Sequence, residues 1–452
     1  MKMIAIFLLV MAAVCGLLFI GAVNPPEAKG VPSYARQTGL PCSGCHYAPP
    51  ELNPAGRRFK LLGYTERADE TKVVKADGSK KRAALDLLAA LPLSAMLDTS
   101  FTNLKSPIPS TQNGSFEMPQ DISLFLSGAW TDHIGSFLQV TYDTQDDHFS
   151  IDNTDIRYAR IGKAGGKELI YGLDFNNNPT VEDLWNSTPA WAFPWVASDW
   201  APTPTASPVI DGGLAQDAAG FGAYGMWNNH LYADAILYRS QHVGSPLPND
   251  GTNAGFNIRG VAPYWRVAWQ QLTAKTQYAF GTYGIHMNST PNGVIGPQDT
   301  YTDFAFDTQI DRTVVRTDVL SFRATYIREN SNLLASFLSG ASSQPKNHLN
   351  TVLANAEYHF GNKYTGTFGW FSTTGTPNLA LYPPGGITGN FNGDPRGEGY
   401  IANVSYWPWQ NLLLGAQYTG YTRFNGASIN YDGTGRNANA NNTVYLNARF
   451  VF

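Results

Sequence analysis

The chain has 452 residues, a formal net charge of −4, only 15% charged residues and 13% aromatic ones. Low charge without high hydropathy excludes both a disordered chain and a bundle of membrane helices. The slightly acidic balance excludes a basic nucleic-acid surface, and neither a phosphate-binding loop nor a nucleophile–base arrangement is legible.

Residues 1–30 read as a secretory signal peptide. Lys2 precedes a nearly unbroken apolar run from Met3 to Ala22, a length that also competes as a membrane anchor. Small residues in Gly21-Ala22-Val23 and Glu27-Ala28-Lys29-Gly30 set cleavage loosely between 22 and 31. Cys15 falls inside this leader, so the exported chain is expected to carry two thiols, Cys42 and Cys45.

Those two thiols belong to Cys42-Ser43-Gly44-Cys45-His46, the spacing of a c-type haem attachment site. Each thiol can form a thioether to a haem vinyl group, and the adjacent imidazole is placed to ligate the iron. A disulfide, a redox pair and a zinc site are the competing readings; zinc wants a second pair or clustered ligands, which the sequence lacks.

Residues 31–65 are predicted to form a miniature cytochrome segment. Asn53 suits an N-cap, Pro54 the first helical position and Gly63 the C-terminal stop, giving a short helix over 54–62 with Phe59 and Leu62 towards a haem. Roughly thirty-five residues bury little core alone, so this piece is expected to sit in or against the lumen of a larger body. Arg57, Arg58 and Lys60 are candidates to pair with haem propionates, against the plainer reading of a solvated helix face. Residues 66–89, with Arg67, Lys72, Lys75, Lys80, Lys81 and Arg82 among acids, read as a polar linker. Met96 is the first methionine after the leader and a candidate distal iron ligand. His133, His230 and His359 are expected at short turns.

From 90 to 452 the pattern is period two. Ile122, Leu124, Leu126 and Trp130 share one face, with Ser123, Ser127 and Thr131 on the other. Tyr364, Phe368 and Trp370 oppose Thr365 and Thr367, and Leu412, Leu414, Ala416 and Tyr418 alternate with Gln417 and Thr419. Alternation of apolar and polar residues, rich in aromatics, fits an all-β, antiparallel transmembrane barrel of the outer-membrane type. Seventeen such segments can be counted, but long and short links alternate throughout if 299–329 holds a single strand with a turn at Glu329–Ser331. That predicts about sixteen strands, with both ends in the periplasm and the long loops outside. The last stretch, Val444, Leu446, Ala448, Phe450 and Phe452, alternates to a terminal phenylalanine.

The longest link, 175–216, carries Trp185, Trp191, Trp195 and Trp200. They are expected to pack against a haem, to plug the lumen, or simply to hold the loop together. Loop 143–155, with Asp143, Asp146, Asp147, His148, Asp152 and Asp155, reads as an ordinary acidic extracellular loop or as an attractor of hard cations.

Pro32-Ser33-Tyr34-Ala35-Arg36-Gln37-Thr38-Gly39, the haem motif, Pro50-Glu51-Leu52-Asn53-Pro54-Ala55-Gly56-Arg57 and Gly63-Tyr64-Thr65 carry a resemblance. Asn176 to Trp185, with Thr188-Pro189-Ala190-Trp191, extends it. The chain resembles the outer-membrane monohaem cytochrome–porin fusions implicated in iron oxidation. That resemblance implies one covalent haem c on Cys42 and Cys45, with His46 as its proximal ligand, in or near the mouth of a roughly sixteen-stranded barrel. It also implies that extracellular Fe(II) gives an electron to the haem, which passes it to a periplasmic c-type cytochrome or other carrier. The chain is then an electron-transfer protein or an iron:cytochrome c oxidoreductase. A diffusion porin plugged or gated by its cytochrome segment, and outward electron transfer, are the alternatives.

Overall fold

The structure is a computed structural model that describes residues 31–68, 72–74, 87–88, 91–145, 147–185, 187–191, 193–241, 256–291, 296–315 and 317–452. The leader, Cys15 and the cleavage site lie outside the described residues, as do Asp146 and most of the linker 66–89. Of that linker, a short backbone pairing of Lys72–Val74 with Leu87–Leu88 is described.

Alternation closes the sheet into a barrel. The first five strands are β1 Leu93–Leu104, β2 Ser115–Leu126 (carried on by Gly128–Ala129), β3 Ile134–Asp143, β4 His148–Ala164 and β5 Lys167–Asn176. After the long link come β6 Ala218–Trp227, β7 Leu231–Ser240, β8 Ala262–Leu272, β9 Thr276–Ser289, β10 Asp299–Thr313 and β11 Val319–Leu333. The last five are β12 Lys346–Phe360, β13 Tyr364–Gly375, β14 Gly397–Trp409, β15 Leu412–Arg423 and β16 Thr443–Val451. Every neighbour pairs antiparallel, and β16 closes the ring on β1, with Ala448 opposite Thr99 and Phe450 opposite Leu97.

Sixteen strands result, by a different partition from the one expected. Residues 299–329 hold two strands, β10 and most of β11, joined by a turn at 314–318. Glu329–Ser331 lies inside β11, where Glu329 pairs with Asp303 and Ser331 with Tyr301. The supposed turn at Gln270–Gln271 is likewise inside β8, whose link to β9 is 273–275. Polar residues imitate turns here because they face the lumen, and the true turn at 314–318 has no described glycine or proline to mark it.

The barrel is polar inside and apolar outside. Phe221, Leu237, Phe280, Phe306, Phe322, Phe368 and Val404 are exposed on the outer wall, while Arg157, Arg266 and Arg323 are at most 2% exposed. In water this arrangement is inverted; in lipid each large outward side chain gains about 1.5–3 kcal/mol. Closure leaves no unpaired strand edge in the hydrocarbon. The chain is a membrane-spanning β-barrel.

Two segments fill its lumen. One is 31–68, with helices α1 Pro32–Thr38, α2 Cys42–Cys45 and α3 Pro54–Leu61. It meets the wall near the short turns: Tyr34 donates to the carbonyl of Ser136 (β3), Arg58 to Glu168 (β5), Arg57 to Gln277 (β9), and Cys42 N to Gln410 between β14 and β15. Contacts with strands spread around the whole ring place it at and inside the barrel mouth. The other is the long link 177–217, which reaches Thr102 through Ser198, Gln270 and Asp307 through Trp185 and Ser187, and Asn425 through Thr205. Arg157, on β4, ties this link to the wall, with Asp155 (β4) and Asp174 (β5) each 2.8 Å away and Glu182 of the link at 3.0 Å.

Candidate haem site

Local chemistry shapes the N-terminal plug as the sequence suggests. Asn53 Oδ1 accepts from the backbone N–H groups of Ala55 (2.9 Å) and Gly56 (3.0 Å), capping α3. Its amide also donates to the carbonyl oxygens of Ser43 and Gly44, so one side chain starts the helix and holds the Cys42–Cys45 turn beside it. Gly56 is required by that close approach, because a Cβ there would stand 2.2 Å from the Cys45 carbonyl oxygen. Helix α3 ends at Leu61, and Gly63 with φ +64° turns the chain away.

A cavity of about 1560 Å³, counting its open mouth, lies between this plug and the wall. Its enclosed part, about 330 Å³, lies within the roughly 300–1,000 Å³ of common small-molecule pockets. Cys42, Cys45, His46, Phe59, Lys60 and Met96 all line it. Sequence reasoning named all six, yet Met96 comes from β1 and the others from the plug. Trp191 and Trp195 of the long link, Phe125 and Phe137 of the wall, and Arg449 of β16 complete the lining.

The residues present fit a covalent haem. No disulfide joins Cys42 and Cys45, and burial pushes the Cys45 thiol up to about 11. His46 Nδ1 lies 3.0 Å from the Glu51 carbonyl oxygen. With the ring proton there, Nε2 keeps a lone pair, the arrangement in which an imidazole ligates a metal. Burial lowers the His46 pKa to about 4, keeping the ring neutral. Two buried donors, the indole Nε1 atoms of Trp191 and Trp195, have no hydrogen-bond partner although both rings line the cavity. Donors left so in an apolar cavity are costly, and carboxylates such as haem propionates would satisfy them.

The candidate propionate partners separate. Lys60 lines the cavity, but its Nζ donates to the carbonyl oxygens of Val181 and Asp183 (3.0 Å) and lies 5.3 Å from the Trp191 ring centroid. Burial, then Arg157, lowers its pKa to about 8. Arg57 is buried away from the cavity, against Gln277 and Asp311. Arg58 reaches out to Glu168 at 2.8 Å and Glu66. Neither arginine is among the lining residues. Arg449, which sequence reasoning missed, is a lining guanidinium that holds Asp98 through two contacts of 2.7 and 2.8 Å. No motif marks it, since it is one polar position in a terminal strand. Leu62 packs with Leu61, Ile170 and Tyr224 rather than along the cavity.

His133 and His230 lie at short turns. His359 does not: it is buried at the end of β12, facing Glu51. The expected acidic loop 143–155 is mostly strand, with Asp143 ending β3 and 148–155 inside β4; Asp155 is a buried partner of Arg157, and Asp143 forms a cluster with Asp121 and Asp199.

No protein-family profile matches the chain, and no curated protein matches it. Among solved structures, the outer membrane channel DcaP of Acinetobacter baumannii is similar at 11% identity and TM-score 0.45, over 84% of this chain and all of that one. The anion-selective porin from Comamonas acidovorans is similar at 11% identity and TM-score 0.46, over 80% of this chain and 98% of that one. Salmonella typhi OmpF, in complex with daunomycin, is similar at 10% identity and TM-score 0.44, over 80% and 97%.

Proposed function

We propose that this barrel carries one haem c on Cys42 and Cys45, with His46 as proximal ligand. In this reading it moves electrons across the outer membrane, from extracellular Fe(II) to a periplasmic c-type cytochrome or similar carrier. The observation that carries this reading is the cavity itself: both motif thiols and the motif imidazole line one chamber inside the barrel, walled by aromatic residues and bounded by the two lumen segments. When bound, haem supplies a one-electron centre within an otherwise insulating hydrocarbon band about 25 Å tall.

The chain's own residues supply the rest. The thiols of α2 fix the group to the plug. The Glu51 carbonyl orients His46 and keeps its proton on Nδ1. Met96, which lines the chamber from β1, is the candidate distal ligand, and a His/Met pair would raise the potential. Phe59, Phe125, Phe137, Trp191 and Trp195 limit access of water, and burial of this kind also tunes the potential. The donor of the electron rests on the family resemblance.

Reconstitution into liposomes that enclose oxidised mitochondrial cytochrome c tests the reading. Fe(II) added outside should reduce the enclosed cytochrome c, and vesicles without the protein should show none of it. A protein that leaves the enclosed pool oxidised, yet lets small sugars through, would be a diffusion porin instead.

A further inference from the structure

Away from the haem chamber, on the other side of the 46–51 turn, three side chains meet from two parts of the chain. Glu51 comes from the plug, and Glu357 and His359 from β12. All three are at most 1% exposed, and a ligating atom from each lies within 4.8 Å of the others. His359 Nε2 is 3.0 Å from Glu357 Oε1 and 3.3 Å from Glu51 Oε2. Neither approach has hydrogen-bond geometry: both Glu51 oxygens, Glu357 Oε1 and His359 Nε2 are buried without a hydrogen-bond partner.

The outer contacts are in place while the centre is not satisfied. Thr367 donates to Glu357 Oε2, Thr365 Oγ1 lies 3.3 Å from His359 Nδ1, and the Tyr47 ring packs at 5.8 Å from the imidazole. With the His359 proton on Nδ1, Nε2 turns a lone pair towards two carboxylates. Arg323 touches Glu51 Oε1 and lies 3.7 Å from Glu357. That guanidinium offsets one carboxylate, and the other faces the His359 ring. Buried charges are paired or bind metals, and hydrogen-bonded ligands around an unsatisfied centre are the second-sphere pattern of a metal site.

We propose that Glu51, Glu357 and His359 form a buried site for one divalent transition-metal ion, separate from the haem. One nitrogen and carboxylate oxygens without sulfur suit a borderline ion of the Zn(II), Fe(II) or Mn(II) class, and three side chains are too few for calcium. Such an ion joins the plug to β12. Glu51 would hold it through its carboxylate while holding the His46 ring through its carbonyl. The proposal does not depend on the haem reading, since no ligand comes from Cys42, Cys45 or His46.

Purified full-length protein in detergent, treated with chelator and dialysed, is titrated with Co(II) and followed by visible absorption. Haem is counted separately as its pyridine adduct, so failure of one assignment is distinguishable from failure of the other. The wild type should take up about one Co(II) per chain, with ligand-field bands and no thiolate charge transfer. His359→Gln and Glu357→Gln are near-isosteric, and whichever assembles as a heat-modifiable barrel should bind Co(II) at least about 10-fold more weakly. No uptake by the wild type would overturn the site. Equal uptake by an assembled variant, or thiolate bands, would place the metal elsewhere and overturn it as well.

Discussion

His46 Nδ1 lies 3.0 Å from the carbonyl oxygen of Glu51, only five residues along the chain. The Glu51 side chain extends the other way, to Arg323 and His359 on the barrel wall. One residue thus fixes the motif imidazole with its main chain and the plug to the barrel with its carboxylate. The first consequence concerns His46 itself. His46→Ala should abolish the native haem spectrum while the heat-modifiable barrel still forms, because the sixteen strands do not depend on that ring. An unchanged spectrum would sink the assigned ligation.

Met96 lines the same chamber from β1. Replacing a methionine ligand removes the partner that raises the potential, and axial ligands tune haem potentials over ≈ 0.8 V. Met96→Ala should therefore lower the midpoint on the order of 0.1 V, read by potentiometric titration. An unshifted midpoint excludes Met96 from the iron.

Acid should loosen the plug before it opens the barrel. The buried His46 ring has its pKa lowered to about 4, against about 6.5 in an unfolded chain. Between those values the unfolded segment binds more protons, so stability is complete above pH 6.5 and falls as the pH drops towards 4. The loss is up to about 3 kcal/mol, less any part of the ring that water reaches through the cavity mouth. Proteolysis of the haem-free plug at pH 7 and pH 4.5 measures it, with greater cutting expected at the lower pH. Equal cutting at both would show that His46 is not held neutral.

Arg157 holds Asp155, Asp174 and Glu182. Removing one partner of a buried ion-pair group leaves uncompensated charges and costs about 3–5 kcal/mol. Arg157→Ala should free the 177–217 link from the wall, seen as a lower urea midpoint and new protease cuts within that link. An unaltered midpoint would mean that the link is held elsewhere.

Much of this architecture is written in the sequence because the barrel repeats one rule. Phe368 and Trp370 face outward while Thr365 and Thr367 face inward, and the same alternation identifies strand after strand. Strand boundaries are harder to read, because Glu329 and Ser331 inside β11 are as polar as any turn. The haem motif, the Asn53 cap and the Gly63 stop are local and legible. Arg449 and the Glu51–Glu357–His359 group are not, because only closure of the ring brings such distant residues together. Arg57 illustrates the converse: its place beside the motif suggests a propionate partner, yet the helix turns it towards Gln277 and Asp311.

The proposed function requires a covalent haem that extracellular Fe(II) reduces. Its most direct test is the optical spectrum of the oxidised protein in detergent, recorded before and after anaerobic addition of Fe(II). Sharp reduced c-type bands should appear rapidly. A haem that dithionite reduces but Fe(II) does not would contradict the assigned donor, and a protein without haem bands would contradict the assignment of Cys42, Cys45 and His46.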